Sequence, residues 1–146
     1  RMYGRSRGVS TPLNPEFTYG YIQCRIQMSF PDPRYYADTG TTKTGTTISL
    51  SNAGWAISAP VITIASTSGA SGSITDGTTT MTFANMAAGH NLTVDLLQRV
   101  IYYDGYPARN YLTSAYTGWL YLAPNSSASW VSTVGSMSIT YRDAYV

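Results

Sequence analysis

"NLTVDLLQRVIYYDGYPARNYL", residues 91–112, is the stretch whose reading decides the fold. Leu92, Val94 and Leu96 alternate with Asn91, Thr93 and Asp95, the period of two that sends successive side chains to opposite faces of a strand. A second strand is expected from Gln98 to Tyr103. Asp104 and Gly105 then form a favoured pair for a type I′ turn, in which both central residues need positive φ. The stretch also gathers Asp95, Arg99, Asp104 and Arg109 among its tyrosines, so it invites a chemical reading. The turn accounts for Asp104 without one, and the segment reads as a hairpin.

Period two continues on both sides. In "FTYGYIQCRIQMSF", residues 17–30, Ile22, Cys24, Ile26, Met28 and Phe30 fall on one face and Tyr21, Gln23, Arg25, Gln27 and Ser29 on the other, one long half-buried strand. "PDPRYY" ends it, because Pro31 and Pro33 cannot donate to a ladder and each restrains the residue before it. Short strands are expected at "TTISL" (46–50), at "APVITIAS" (59–66), and on both sides of Asp76-Gly77 in "GSITDGTTTMTFAN" (72–85). Two more, "WLYLA" (119–123) and "SMSITY" (136–141), close the chain. "FANMAAGHNL" holds one helical turn at most. Many short strands at this spacing predict an all-β fold, an antiparallel β-sandwich or barrel.

Composition agrees. Charged residues make up 11% of the chain, against roughly 25% in average soluble domains. In their place stand 20 Thr, 17 Ser, 13 Tyr and 13 Gly, residues suited to pleated strands and turns. At 146 residues there is room for one domain with a sizeable core and too little for two ordinary ones. The net charge of +2 is too mild for bulk electrostatics to imply nucleic-acid binding. Only "RMYGRSRG" at the front concentrates positive charge, and it reads as an extended arm or strand end against another subunit. One cysteine, Cys24, and one histidine, His90, exclude an internal disulfide framework and the usual zinc sites. No apolar run is long enough for a helical membrane span. The chain starts at Arg1 with neither an initiator Met nor a signal peptide, which reads as part of a longer protein.

Catalytic readings are weak. Asp38-Thr39-Gly40 is the aspartic-protease tripeptide, but it lies in a polar loop and has no second copy to share a proton with. A Ser-His-Asp arrangement would have to use His90 at a turn. Asp95 and Asp104 could be imagined as a glycosidase pair, but Asp104 already has its turn. The sequons at Asn91 and Asn125 are expected by chance in so Ser- and Thr-rich a chain. Sugar binding is the stronger rival, because Trp55, Trp119, Trp130 and the tyrosines offer aromatic faces. Filling the core and subunit contacts is the simpler use for aromatics at strand-like positions.

"DPRYYAD", "LSNAGWAISAPVITI", "AGHNLTVDLLQRVIYYDGYPARNYL" and "SSASWVSTVGSMSITYRDAYV" follow one another in an order that resembles a known family. They are similar to the C-terminal half of siphophage distal tail proteins and the related minor tail proteins of phages infecting actinobacteria. The resemblance covers residues 31–146. One departure is "TVGSMSITY", where the pattern has Pro-Gly and then Asn. The resemblance implies a galectin-like jelly roll over residues 38–146, with residues 1–37 as the last strands of a preceding ring-forming domain plus a linker. It implies a non-enzymatic structural component at the distal end of the virion tail. Its partners would be copies of itself in a ring, usually hexameric, the tail tube protein, and tail-tip or receptor-binding proteins. No cofactor, metal, nucleic acid or membrane insertion is expected. Arg5, Arg7, Tyr21, Arg25, Tyr103 and Tyr106 are the interface candidates. Galectin-type sugar binding needs His-x-Asn-x-Arg and a Trp leading into Glu and Arg. Here His90 is followed directly by Asn91 and Trp119 by "LYLAP", so no such site is carried over. The competing reading is a carbohydrate-binding module that uses exposed aromatics to adhere to host-surface glycans.

Overall fold

The computed structural model describes residues 5–10, 25–29, 34–65, 71–84 and 86–146. They fall into two units, Arg1–Tyr35 and Tyr36–Val146. In the first, β1 (Arg5–Ser10) pairs antiparallel with β2 (Arg25–Ser29), and the register shifts between Ser6 and Gly8, leaving Arg7 in a bulge. The rest of the strand expected over 17–30, with Tyr21, lies outside the described residues.

The boundary falls within β3 (Tyr35–Tyr36), and the second unit continues through β4 (Thr41–Gly45), β5 (Thr47–Asn52), β6 (Val61–Ala65), β7 (Gly72–Thr75) and β8 (Thr80–Phe83). It then runs through β9 (Asn91–Asp95), β10 (Val100–Tyr103), β11 (Tyr106–Pro107), β12 (Ser126–Ser132), β13 (Met137–Tyr141) and β14 (Ala144–Tyr145). One sheet has the order β11-β10-β9-β6-β13-β4, the other β5-β12-β7-β8, and their paired strands are antiparallel. A short pair, β14-β3, stands apart.

Alternation makes these strands a sandwich. Ile62 and Ile64 of β6, Leu92 and Val94 of β9, Ile101 of β10, and Met137 and Ile139 of β13 turn inward from the larger sheet. Ile48 and Leu50 of β5, Ile74 of β7, Met81 and Phe83 of β8, and Trp130 of β12 meet them from the smaller one, in a single core. Each large side chain so buried contributes about 1.5–3 kcal/mol, so a one-residue slip of any of these strands would be prohibitive.

The two lateral sides of the sandwich differ. At β8 the free edge is taken by the chain itself: Thr113 and Thr117 donate backbone N–H groups to the carbonyls of Thr82 and Thr80, at 2.9 and 2.8 Å. On the opposite side β4 and β5, nearly continuous through Thr46, pass from one sheet to the other and leave their outer edges unpaired among the described strands. Lys43 stands opposite the fully buried Ile139 and so lies on the inner face of its sheet, from where its Nζ donates to the Ser49 carbonyl of β5 at 2.6 Å.

One end is tied by Asn52, which is 1% exposed. Its amide donates to the carbonyls of Ala56 and Ala123 at 2.8 and 3.1 Å, and its Oδ1 accepts from the N–H of Gly54 at 3.0 Å. A polar side chain is tolerable there because its hydrogen bonds are made.

The hairpin at 72–83 forms as expected, whereas the strand expected from Gln98 begins at Val100, because Leu96–Arg99 are the turn that joins it to β9. "WLYLA" does not form a strand: only Leu122 makes a bridge, to Ser58, while Tyr121 is exposed. Conversely, "SSASWVS" is the long central strand β12, and "TTKTG", in what reads as a polar loop, is β4.

Candidate functional site: two aromatic surfaces

The first surface grows out of the hairpin. Asp104 and Gly105 have φ of 48° and 86° and join the paired Tyr103 and Tyr106, as a type I′ turn requires. Asp104 does more than turn the chain. Its Oδ1 accepts the Asn91 N–H at 2.9 Å and its Oδ2 meets His90 Nδ1 at 2.5 Å. The Asn91 amide first, then the His90 hydrogen bond, hold the Asp104 carboxyl below its ordinary value of 3.8. His90 stacks on Tyr103 at 5.3 Å between ring centroids, and Tyr103 on Tyr111 at 4.3 Å. The Tyr103 hydroxyl accepts the Ala87 N–H at 3.2 Å. Burial first, then the neighbouring Tyr103 hydroxyl, raise the Tyr111 phenol above its ordinary 10.0. Farther along, the Arg109 guanidinium lies 5.3 Å from the Tyr116 ring centroid and 5.6 Å from that of Trp119, and donates to the Tyr116 hydroxyl at 3.3 Å. Each such contact is worth about 0.5–1 kcal/mol at an exposed site. Together they build a stiff polar-aromatic ridge with Tyr106 at its tip, 77% exposed.

Among the described residues, the ridge assembles neither a Ser-His-Asp arrangement nor an Asp95–Asp104 carboxylate pair. His90 and Asp104 form a pair, but among the described residues no serine hydroxyl is hydrogen-bonded to the ring. Asp95, imagined as a carboxylate partner, accepts the Gln98 N–H at 2.9 Å and closes its own turn. Asp38-Thr39-Gly40 lies in an exposed bend between β3 and β4. Among the described residues there is no cluster of three His, Cys, Asp or Glu that could hold a metal, and no helix long and apolar enough to cross a membrane.

The second surface lies at the Asn52 end. Ala56 pairs with Ala144 and Ser58 with Leu122 through isolated bridges, and all four side chains are buried. Alternation therefore sends Trp55, Ile57, Tyr121 and Tyr145 to the outer face. Trp55 is 76% exposed and packs edge-on with Tyr145, ring centroids 6.3 Å apart. Ala53, two residues before Trp55, lines an open pocket of about 250 Å3 together with Ser51, Asn52, Asn125, Ser126 and Ser127.

Of the interface candidates, Arg5 and Arg7 lie on β1, Arg25 on β2, and Tyr103 and Tyr106 at the hairpin tip. The structure thus brings Tyr103 and Tyr106 together. The three tryptophans separate: Trp130 is fully buried, Trp119 packs against the core under Arg109, and Trp55 alone projects. His90 as a partner of Asp104, and Arg109 as an aromatic clamp, were not singled out by sequence reasoning. The only signal was their nearness to the hairpin.

No protein-family model matches the chain. No curated protein matches it either. Among solved structures it is similar to SPP1 Dit (gp 19.1), described as a paradigm of the hub adsorption apparatus in phages that infect Gram-positive bacteria. The TM-score is 0.73 and the sequence identity 16%, over 99% of this chain and 60% of that one. The chain thus spans about 60% of the length of that protein. What the two share is a fold, which in this chain is antiparallel and all-β.

Proposed function

We propose that the chain is a structural component of a bacteriophage tail tip, a distal tail or minor tail protein, at the far end of the virion tail. The observation that carries this reading is the likeness to SPP1 Dit over nearly the whole chain. In this reading residues 1–37 complete a ring-forming domain, and residues 38–146 are a galectin-like sandwich on the ring's periphery. Copies of the chain close the ring, hexameric by the family's habit, between the tail tube protein and tail-tip or receptor-binding proteins. Arg5, Arg7, Tyr21 and Arg25 serve the ring contact, Tyr103 and Tyr106 a peripheral one.

The chemistry of the surface supports it. Depletion of charge and enrichment in tyrosine mark interface cores, because Tyr contributes contact area while ordering few torsions. Tyr106, held out on a rigid turn and almost wholly exposed, has that form. Ring closure repeats one modest contact around an axis, so no single patch has to be strong.

Electron microscopy and light scattering of the full-length protein test the reading. Closed rings are expected. A monomer at high concentration would overturn it.

A further inference from the structure

We infer that Trp55 and the pocket beside it form a binding site for one ring of a neutral glycan, a function separate from assembly. A sugar ring presents an apolar C–H face and an edge of hydroxyls, so it is recognised by an aromatic plane next to uncharged donors and acceptors. Both are present. Trp55 is the most exposed aromatic of its face, and Tyr145 props it from the side rather than burying it. Gly54, immediately before it, is buried, and its carbonyl accepts the Asn125 N–H at 2.8 Å, so the Trp55 backbone is tied directly to a wall of the pocket.

The lining is polar and uncharged. Ser51 and Ser127 are cross-strand partners, both exposed, so their side chains stand together on the outer face. Ser126 Oγ donates to the Ala123 carbonyl at 2.8 Å and keeps its lone pairs free to accept. The carboxylate beside the pocket, Asp143, already accepts the Ala53 N–H at 3.0 Å. Asn52 turns its amide into the fold and closes the floor. The volume, about 250 Å3, falls below the roughly 300–1,000 Å3 of pockets for drug-sized ligands, which suits a single ring. None of these residues belongs to the His-x-Asn-x-Arg pattern of galectins, so the site is not the one that fold is known for.

Ligand-observed NMR on the 146-residue chain, with the methyl glycosides of glucose, galactose, rhamnose and N-acetylglucosamine as probes, tests the inference. Saturable binding of at least one is expected, with a shift of the Trp55 indole N–H. Trp55→Ala should weaken it about tenfold, the scale of losing one aromatic contact. Asn125 has φ of 44°, a conformation glycine also adopts, so Asn125→Gly removes the amide without straining the turn. That variant should weaken binding several-fold at unchanged melting temperature, and Tyr106→Ala should leave it intact. Failure of all four glycosides to bind, or binding that survives both Trp55→Ala and Asn125→Gly, would overturn the site. So would a Trp55→Ala variant that binds no sugar less well but loses self-association in light scattering, because the face would then be a subunit contact. The two sugar-binding outcomes leave the ring reading untouched.

Discussion

Gly105 and Gly54 are both irreplaceable, for opposite reasons. At Gly105 nothing lies within 4 Å of where a Cβ would stand, and the whole constraint is the backbone, at φ 86°. Gly105→Val should therefore cost about 1–2 kcal/mol, the penalty of holding an L residue in left-handed space. Unchanged melting would argue against the turn. At Gly54 a Cβ would land on the carbonyl oxygen of Ala144, backbone that has no flexible end to yield. Gly54→Ala should cost about 3 kcal/mol, the upper range of overpacking, read as a larger fall in melting temperature than Gly105→Val. Asp104 offers a test in pH. Its folded-state pKa is depressed, so the stability it contributes is present at neutral pH and is lost as pH falls below 3.8 and through the folded value. Melting curves of Asp104→Asn should lie below the parent at neutral pH and converge with it in acid. Parallel curves would show that the carboxylate is idle.

Strands were legible where one face is apolar and the other polar. β9, with Leu92 and Val94 buried between exposed or half-buried neighbours, is readable on sight, and so is the Asp-Gly turn after β10. β12 was not, because "SSASWVS" buries Trp130 and Ser132 while its first four positions are serine or alanine, and composition mimics a turn. "WLYLA" misled in the other direction. Its apolar residues serve two purposes, Leu120 and Leu122 in the core and Tyr121 on the surface, with no ladder between them. Strand formation depended there on a partner edge, which local sequence does not encode. Lys43 shows how an edge is managed. A charge on the inner face of a bare strand would have to be desolvated before another strand could pair there. Lys43→Thr removes that obstacle, and size-exclusion chromatography should show concentration-dependent species larger than any the parent chain forms. A variant that elutes as the parent does would assign the protection to something else.

Across the whole molecule, the functional surfaces were less legible than the fold. Tryptophans at 55, 119 and 130 are equivalent as letters, and only packing sorts them into an exposed plane, a clamped ring and a core residue. Among the described residues, every member of the core cluster of the second unit comes after Tyr36. A protein trimmed to Tyr36–Val146 should therefore unfold in one cooperative step on calorimetry. A broad, non-cooperative trace would mean that the sandwich needs the preceding strands to fold.

The hydrogen bonds that join Ala37 to its far end in sequence have a mechanical meaning. The Ala37 N–H donates to the Asp143 carbonyl at 3.0 Å, and Arg142 Nη1 donates to the Ala37 carbonyl at 3.1 Å. Residues 37 and 142–143, more than a hundred positions apart in sequence, thus sit side by side like the halves of a closed clasp, and a pull on either would load these two hydrogen bonds before it reached the ladders of the sheets.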